Sequence, residues 1–180
     1  MKINLLTLVA LNVIPLSSFA ADGDITFTGT VKASACSLQG FNGGEGKSAL
    51  MQLSSVTPSS FSSAGGYAGM KDFTIDLKEC DTTTMKNARV SFSGTPDLVD
   101  NSILKNIQEN NAAQGVGIAI LENDGSTVID INGGVPSKSQ ALTQGNTELK
   151  FKVAYKANTS TPAVSSGDVK AKTFIDIAYN

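Results

Sequence analysis

From Asp168 to the end, the sequence alternates: Ala171, Thr173, Ile175, Ile177 and Tyr179 fall on one face of an extended chain, and Lys170, Lys172, Asp176 and Asn180 on the other. This period of two predicts a half-buried β-strand with neither a turn nor a return strand after it. A strand with a continuous apolar face needs neighbours on both sides, because a bare edge offers its unpaired N–H and C=O groups to any other chain. The expectation is a subunit that a partner completes.

The rest of the chain can supply one domain to hold such a strand. It has 180 residues, 41% of them hydrophobic, enough for a single full core. Residues 1–20 stand apart: Lys2, an apolar stretch from Ile3 to Leu16, then Ser17, Ser18, Phe19 and Ala20. This is the layout of a secretory signal peptide, with Ser18 and Ala20 as the small residues before the cut, and it is shorter than the roughly 20 apolar residues of a membrane anchor. With Lys2 removed, the formal net charge of −2 becomes −3. A mildly acidic chain without a basic run has no electrostatic footprint for nucleic acid, nor the look of a membrane-surface binder. Export gives the two cysteines a meaning: Cys36 and Cys80 are expected to be bridged, closing a loop of about 45 residues with stabilisation on the order of 4 kcal/mol.

After the signal the pattern is almost wholly β. Ile25, Phe27 and Val31 open a first strand, interrupted at Gly29, that runs on to Cys36; residues 39–46 read as a Gly-rich turn, and Leu50 and Leu53 as a short second strand. Residues 54–69 lack periodicity and read as an exposed loop. Clear alternation follows at Phe73-x-Ile75-x-Leu77 and at Ala88-x-Val90-x-Phe92; residues 103–113 have a helical flavour worth one turn at most. Val116 to Leu121 is a compact apolar run, Asp124 and Gly125 turn the chain into Val128 to Ile131, and Leu149, Phe151, Val153 and Tyr155 form a strand with Lys150, Lys152 and Ala154 on its other face. Short strands at regular spacing, turn signals and one disulfide predict an antiparallel β-sandwich of immunoglobulin-like type.

The chain has no His and no Trp, which removes Ser-His-Asp and Cys-His catalysis together with the commonest zinc ligand. The expectation is a protein that is not an enzyme, with no catalytic residues, no metal and no cofactor. The densest acidic cluster, Asp72, Asp76, Glu79 and Asp81, reads as solvated strand face and turn. Asp22, Gly23 and Asp24 lack the further oxygen ligands of a calcium loop, and Asn158-Thr159-Ser160 is a glycosylation pattern that arises readily by chance.

Several segments, taken in order, resemble the chaperone–usher pilin subunits of the type 1 fimbrial group. These are Gly23 to Gly29 followed by Val31 and Ala35-Cys36; Phe73-x-Ile75-x-Leu77-x-x-Cys80-Asp81; Ala88-x-Val90-x-Phe92-x-Gly94-Thr95; Val116-Gly117-Ile118-x-Ile120-Leu121 with Gly125; Leu149-x-Phe151-x-Val153-x-Tyr155; and Tyr179 next to last. The resemblance implies an all-β fold, an incomplete immunoglobulin-like sandwich that lacks its last strand and is completed by donor-strand complementation. Residues 1–20 would be the signal peptide, 21–35 the donor-strand extension with the start of the first strand, and 36–180 the pilin domain. A periplasmic chaperone would fill the open groove first, and at an outer-membrane usher the extension of a neighbouring pilin subunit would replace it, building a fimbrium on the cell surface that supports adhesion. The implied donor residues are Ile25 and Phe27, with Gly23 and Gly29 at the close approaches; Ile175, Ile177 and Tyr179 lie on the accepting side. Only Ala21 and Asp22 precede Gly23, so the donor is short, and Phe174 falls on the face opposite Tyr179, unlike the family's usual phenylalanine. A minor adaptor or terminating pilin, and a self-sufficient secreted β-sandwich that binds a ligand directly, are the alternatives.

Overall fold

A computed structural model describes residues 26, 28, 35–41, 48–158 and 164–180. The expected signal peptide, the donor residues Gly23, Ile25, Phe27 and Gly29, and Val31 lie outside the described residues. The chain divides into units 1–32 and 33–180; the first contributes only Thr26 and Thr28, both exposed. All that follows concerns the second.

Among the described residues, seven strands form two antiparallel sheets. In the first, β1 (Ser37–Phe41), β2 (Tyr67–Cys80), β6 (Gly145–Ala157) and β4 (Val116–Glu122) lie in the order β1-β2-β6-β4; in the second, β5 (Gln140–Ala141), β3 (Asn87–Gly94) and β7 (Thr173–Tyr179) lie in the order β5-β3-β7. Alternation decides which side chains meet. Phe73, Ile75 and Leu77 of β2, Leu149, Phe151 and Val153 of β6, and Ala88, Val90 and Phe92 of β3 share one buried cluster. Phe151 is its centre, with its ring 5.3 Å from Phe92 edge-on and 5.6 Å from Phe73. Such ring pairs add about 0.5–1.5 kcal/mol beyond burial.

Near the end of β2 the period of two breaks. Between Leu77 and Cys80 the strand advances three residues while β6 advances two, from Thr147 to Gly145. The extra residue is a β-bulge that turns Cys80, instead of Glu79, toward the core. Glu79 takes a left-handed φ of 54°, and its carboxylate accepts the Ser37 hydroxyl at 3.0 Å. Cys80 is bonded to Cys36 across a Cα separation of 4.1 Å, the pairing expected of the two cysteines.

β4 is buried along its whole length because both its faces are covered. Ile118 and Ile120 join the main cluster; Ala119 and Leu121 pack with Ile103 and Ala154 in a second one outside the sheet. The 103–104 segment achieves this cover by running along the edge of β4, where Leu104 and Ile118 exchange N–H···O bonds of 2.8 and 2.9 Å. Gly117 permits the approach: a Cβ there would sit 2.5 Å from the Leu104 carbonyl oxygen.

Several expectations are corrected. Residues 39–41, expected to open a turn, belong to β1 (Ser37–Phe41), because bonding of Cys36 to Cys80 delivers the chain directly beside β2. Leu50 and Leu53 make no strand; Leu50 is 99% exposed, and only Leu53 packs on the core. The loop ends earlier than residue 69, since β2 begins at Tyr67 and passes a second bulge between Ala68 and Lys71. Residues 103–113 are irregular with no helical turn, and Val128 to Ile131 forms no strand but is held by the Leu121–Val128 bridge, by the Ile129 N–H to the Ile120 carbonyl, and by burial of Ile129 and Ile131 in the core. Ala154 does not face water with Lys150 and Lys152 but is fully buried under Ile103. The final strand is shorter than expected, starting at Thr173, and β5 carried no legible signal.

Aspartates fix the turns. Asp81, Asp97, Asp100, Asp124 and Asp130 each accept the backbone N–H of the residue two positions on, at 2.8–3.0 Å, the geometry of Asx turns. Asp124 also accepts the Thr127 N–H and the Lys138 ammonium. These bonds to the charged form, that of Thr127 first, hold its carboxyl well below the usual carboxylate range. Asp81 and Asp130 are lowered by the same kind of bond. A depressed native pKa gives stability that is fully present above the unfolded value near 4 and is lost as pH falls toward the native value. Denaturation midpoints are therefore expected to hold from pH 7 to about 4 and drop below it, with a shallower drop in Asp124→Asn. Phe151→Ala, at the centre of the core, is expected to cost about 3–5 kcal/mol in denaturant titration.

Candidate strand-acceptor edge

Irregular segments of the described fold cover some of the strands' free sides. On β3 the side away from β7 is met by β5 and by Ser137, whose N–H donates to the Val90 carbonyl at 2.8 Å. On β4 the outer side is met by Leu104, Thr127 and Ile129. β7, like β1 and the two-residue β5, is a sheet edge: it pairs with β3 alone, and among the described residues no strand lies on its other side.

The direction of its backbone groups follows from one hydrogen-bonded pair. Asn180 N–H donates to Asn87 O at 3.0 Å and Asn87 N–H to Asn180 O at 2.8 Å. Antiparallel ladders alternate, so Ala178, Asp176 and Phe174 bond to Arg89, Ser91 and Ser93, their register partners. Tyr179, Ile177, Ile175 and Thr173 consequently direct their N–H and C=O groups to the open side. Val90, opposite Ile177, agrees: its N–H and C=O are engaged with Ser137 on the far side of β3.

These same four residues turn their side chains toward the core. Ile175, Ile177 and Tyr179 pack against the main cluster yet remain only half-buried. Their cross-strand partners Phe92, Val90 and Ala88 are all fully buried. The core is thus open along β7, and the open backbone edge coincides with the unfilled apolar row. The three residues expected on the accepting side are brought together in this row. Phe174 lies on the opposite face, 61% exposed, with the Lys172 ammonium 4.8 Å from its ring centre.

The approach to β7 is anchored by a residue that sequence reasoning missed. The Asn106 amide donates to the carbonyls of Ala113 and Asp168 at 3.0 Å each, and its oxygen accepts the N–H groups of Gln108 and Lys170 at 3.1 and 3.0 Å. Ile107 N–H to Lys170 O and the reciprocal bonds of residues 111–113 with Asp168 complete the fastening. Val169 and Ala171 are thereby laid on the core immediately before the strand. No local pattern marks Asn106, since all four bonds depend on tertiary contacts or an irregular turn.

Of the other residues weighed for chemistry, Asp72 pairs with Lys152 on the strand face. Asn158 is buried and donates to Asp97 at 3.2 Å, so its amide is turned away from solvent. Among the described residues no group of three or more His, Cys, Asp or Glu could hold a metal ion.

Comparison with known proteins places this geometry in context. The family described as fimbrial protein matches residues 25–180. The probable major fimbrial subunit LpfA of Escherichia coli O157:H7 is 35% identical over 182 residues, covering 99% of this chain and 97% of that protein. The long polar fimbria protein A of Salmonella typhimurium is 31% identical over 182 residues, with coverage of 99% and 97%. Among solved structures, the P pilus rod subunit PapA superposes with a TM-score of 0.64 at 17% identity, covering 82% of this chain and all of that one. The Burkholderia pseudomallei antigen and type I fimbria protein BPSL1626 gives 0.58 at 28% identity, with coverage of 74% and 84%.

Because the row on β7 is already half in water, truncating it should cost the isolated subunit little. Ile177→Ala is expected to lower stability by less than half as much as Leu149→Ala on β6, for which about 2–5 kcal/mol is the scale; paired denaturant titrations measure the difference.

Proposed function

The chain belongs to the fimbrial protein family, and we propose that it is a structural subunit polymerising by donor-strand exchange on a chaperone–usher pathway. The observation that carries this reading is the coincidence on β7 of an open backbone edge with the half-buried row Ile175, Ile177 and Tyr179. Strand addition needs both: the ladder supplies affinity and alternate side chains supply fit.

In this reading the chain is exported, and a periplasmic chaperone lends a strand to β7 while the subunit is held unpolymerised. At the outer-membrane usher the extension of a neighbouring subunit takes its place, with Ile25 and Phe27 entering the core row and Gly23 and Gly29 allowing close approach. Burial of Ile25 and Phe27 contributes about 1.5–3 kcal/mol each, and every backbone hydrogen bond gained a net of about 0.5–1.5. Assembly of this kind uses no catalytic group, and the product is a surface fimbrium that supports adhesion.

Deletion of residues 21–28 is expected to leave a chaperone-bound subunit that accepts a donor but provides none, so fibres scored by electron microscopy disappear. Normal polymerisation by the truncated chain refutes the proposal. A mature chain that refolds alone to a fully stable monomer favours a self-sufficient secreted sandwich instead.

A further inference from the structure

The outer face of β7 bears on how an added strand is aligned. Along it Phe174, Asp176 and Ala178 stand opposite Ser93, Ser91 and Arg89 of β3. Arg89 is the sole arginine of the sequence; it is exposed and takes part in none of the ion pairs among the described residues. Its row partner on β7 is only an alanine. A strand added on the open side extends every row by one residue, about 4.8 Å further on. A long guanidinium side chain can reach over an alanine methyl to meet a carboxylate on that third strand.

Resting on the donor-strand reading above, we propose that residues 23–29 of a second copy lie antiparallel on β7 in one register, with Asp24 opposite Ala178 and ion-paired to Arg89. The segment and β7 are both seven residues long. In this register Gly23, Ile25, Phe27 and Gly29 face inward beside Tyr179, Ile177, Ile175 and Thr173, with a glycine against the bulkiest member of the row. Asp24, Thr26 and Thr28 face outward beside Ala178, Asp176 and Phe174. Antiparallel placement continues the pattern of every strand pairing among the described residues.

Neighbouring registers are excluded on physical grounds. A slip of one residue turns Ile25 and Phe27 to water. A slip of two toward the start of β7 sets Asp24 against Asp176, and like charges directly opposite destabilise a strand pair. A slip of two the other way sets Ile25 against Tyr179 and carries Asp24 out of the Arg89 row. The ion pair therefore acts as a register mark on a ladder whose backbone bonds are indifferent to sequence.

The alignment is tested by cross-linking. The backbone groups of Ala178 face β3, so its pairing with Asp24 is of the non-hydrogen-bonded kind, with Cα atoms about 4.5 Å apart, within disulfide range. The two native cysteines are bonded to each other and give a silent background. Full-length chain carrying Asp24→Cys with Ala178→Cys, assembled into fibres in its host and oxidised, is expected to run as a reducible ladder on a denaturing gel, while each single variant runs as monomer. Assembled fibres without a ladder, or a ladder from Asp22→Cys with Lys172→Cys instead, overturn the register, the latter in favour of a parallel donor. Arg89→Glu is expected to speed dissociation of the fibre in denaturant about fivefold, and adding Asp24→Lys to restore it; an equal loss in the double variant overturns the ion pair. Fibres that persist with Ile25→Asp and Phe27→Asp remove the donor-strand reading and the register with it. Fibres lost in that variant, but uncross-linked through 24 and 178, remove the register alone.

Discussion

A backbone N–H or C=O shielded from water must find a partner, and much of this domain is arranged around that requirement at its strand edges. Leu104 and Ile129 run beside β4, and residues 131–142 run beside β3. The irregular connections between strands are therefore structural members that finish the sheets. Aspartate turns hold these connections in place, and Asn106 fastens the last of them. Against that background β7 is the longest of the edges left open among the described residues. Its approach is anchored by Asn106 and its inner neighbour is fully bonded, yet its outer row is left without a described partner. Energy is spent on holding the edge straight and none on closing it.

This arrangement separates two properties that a strand usually combines. The inner face of β7 contributes to the core of its own domain, but only in part, since Ile175, Ile177 and Tyr179 are half-buried where Phe92, Val90 and Ala88 are fully so. The remaining apolar area of these three side chains is left exposed. The outer face, where Arg89 of β3 lies beside Ala178 and is followed by Asp176 and the exposed Phe174, bears no such load. Membership of the fimbrial protein family gives this division of labour a setting in which chains add to one another end on end.

The all-β class, the main strands and the half-buried row on β7 could be read from sequence because strict alternation survives wherever one face is buried and the other wet: Phe73 to Leu77, Ala88 to Phe92, Leu149 to Val153 and Ile175 to Tyr179. What escaped has physical causes. At Glu79 a bulge shifts the period by one, so Leu77-x-x-Cys80 resembles an interruption. β1 lies in a Gly-containing segment whose strand character comes from being tied beside β2. Ala154 reads as part of a polar face because its cover, Ile103, arrives from some fifty residues earlier in an irregular segment. Asn106 depends on partners scattered from residue 108 to residue 170, and a two-residue strand such as β5 carries no periodicity at all.

The disulfide has a mechanical consequence in a subunit pulled from its two ends. Tension entering through the residues before Cys36 passes across the sulfur atoms to Cys80 and continues along the chain from there. Residues 37–79, which include β1 and nearly all of β2, lie on a covalent side loop and carry none of the load. The covalent line of force bypasses them and continues into the part of the sandwich that follows.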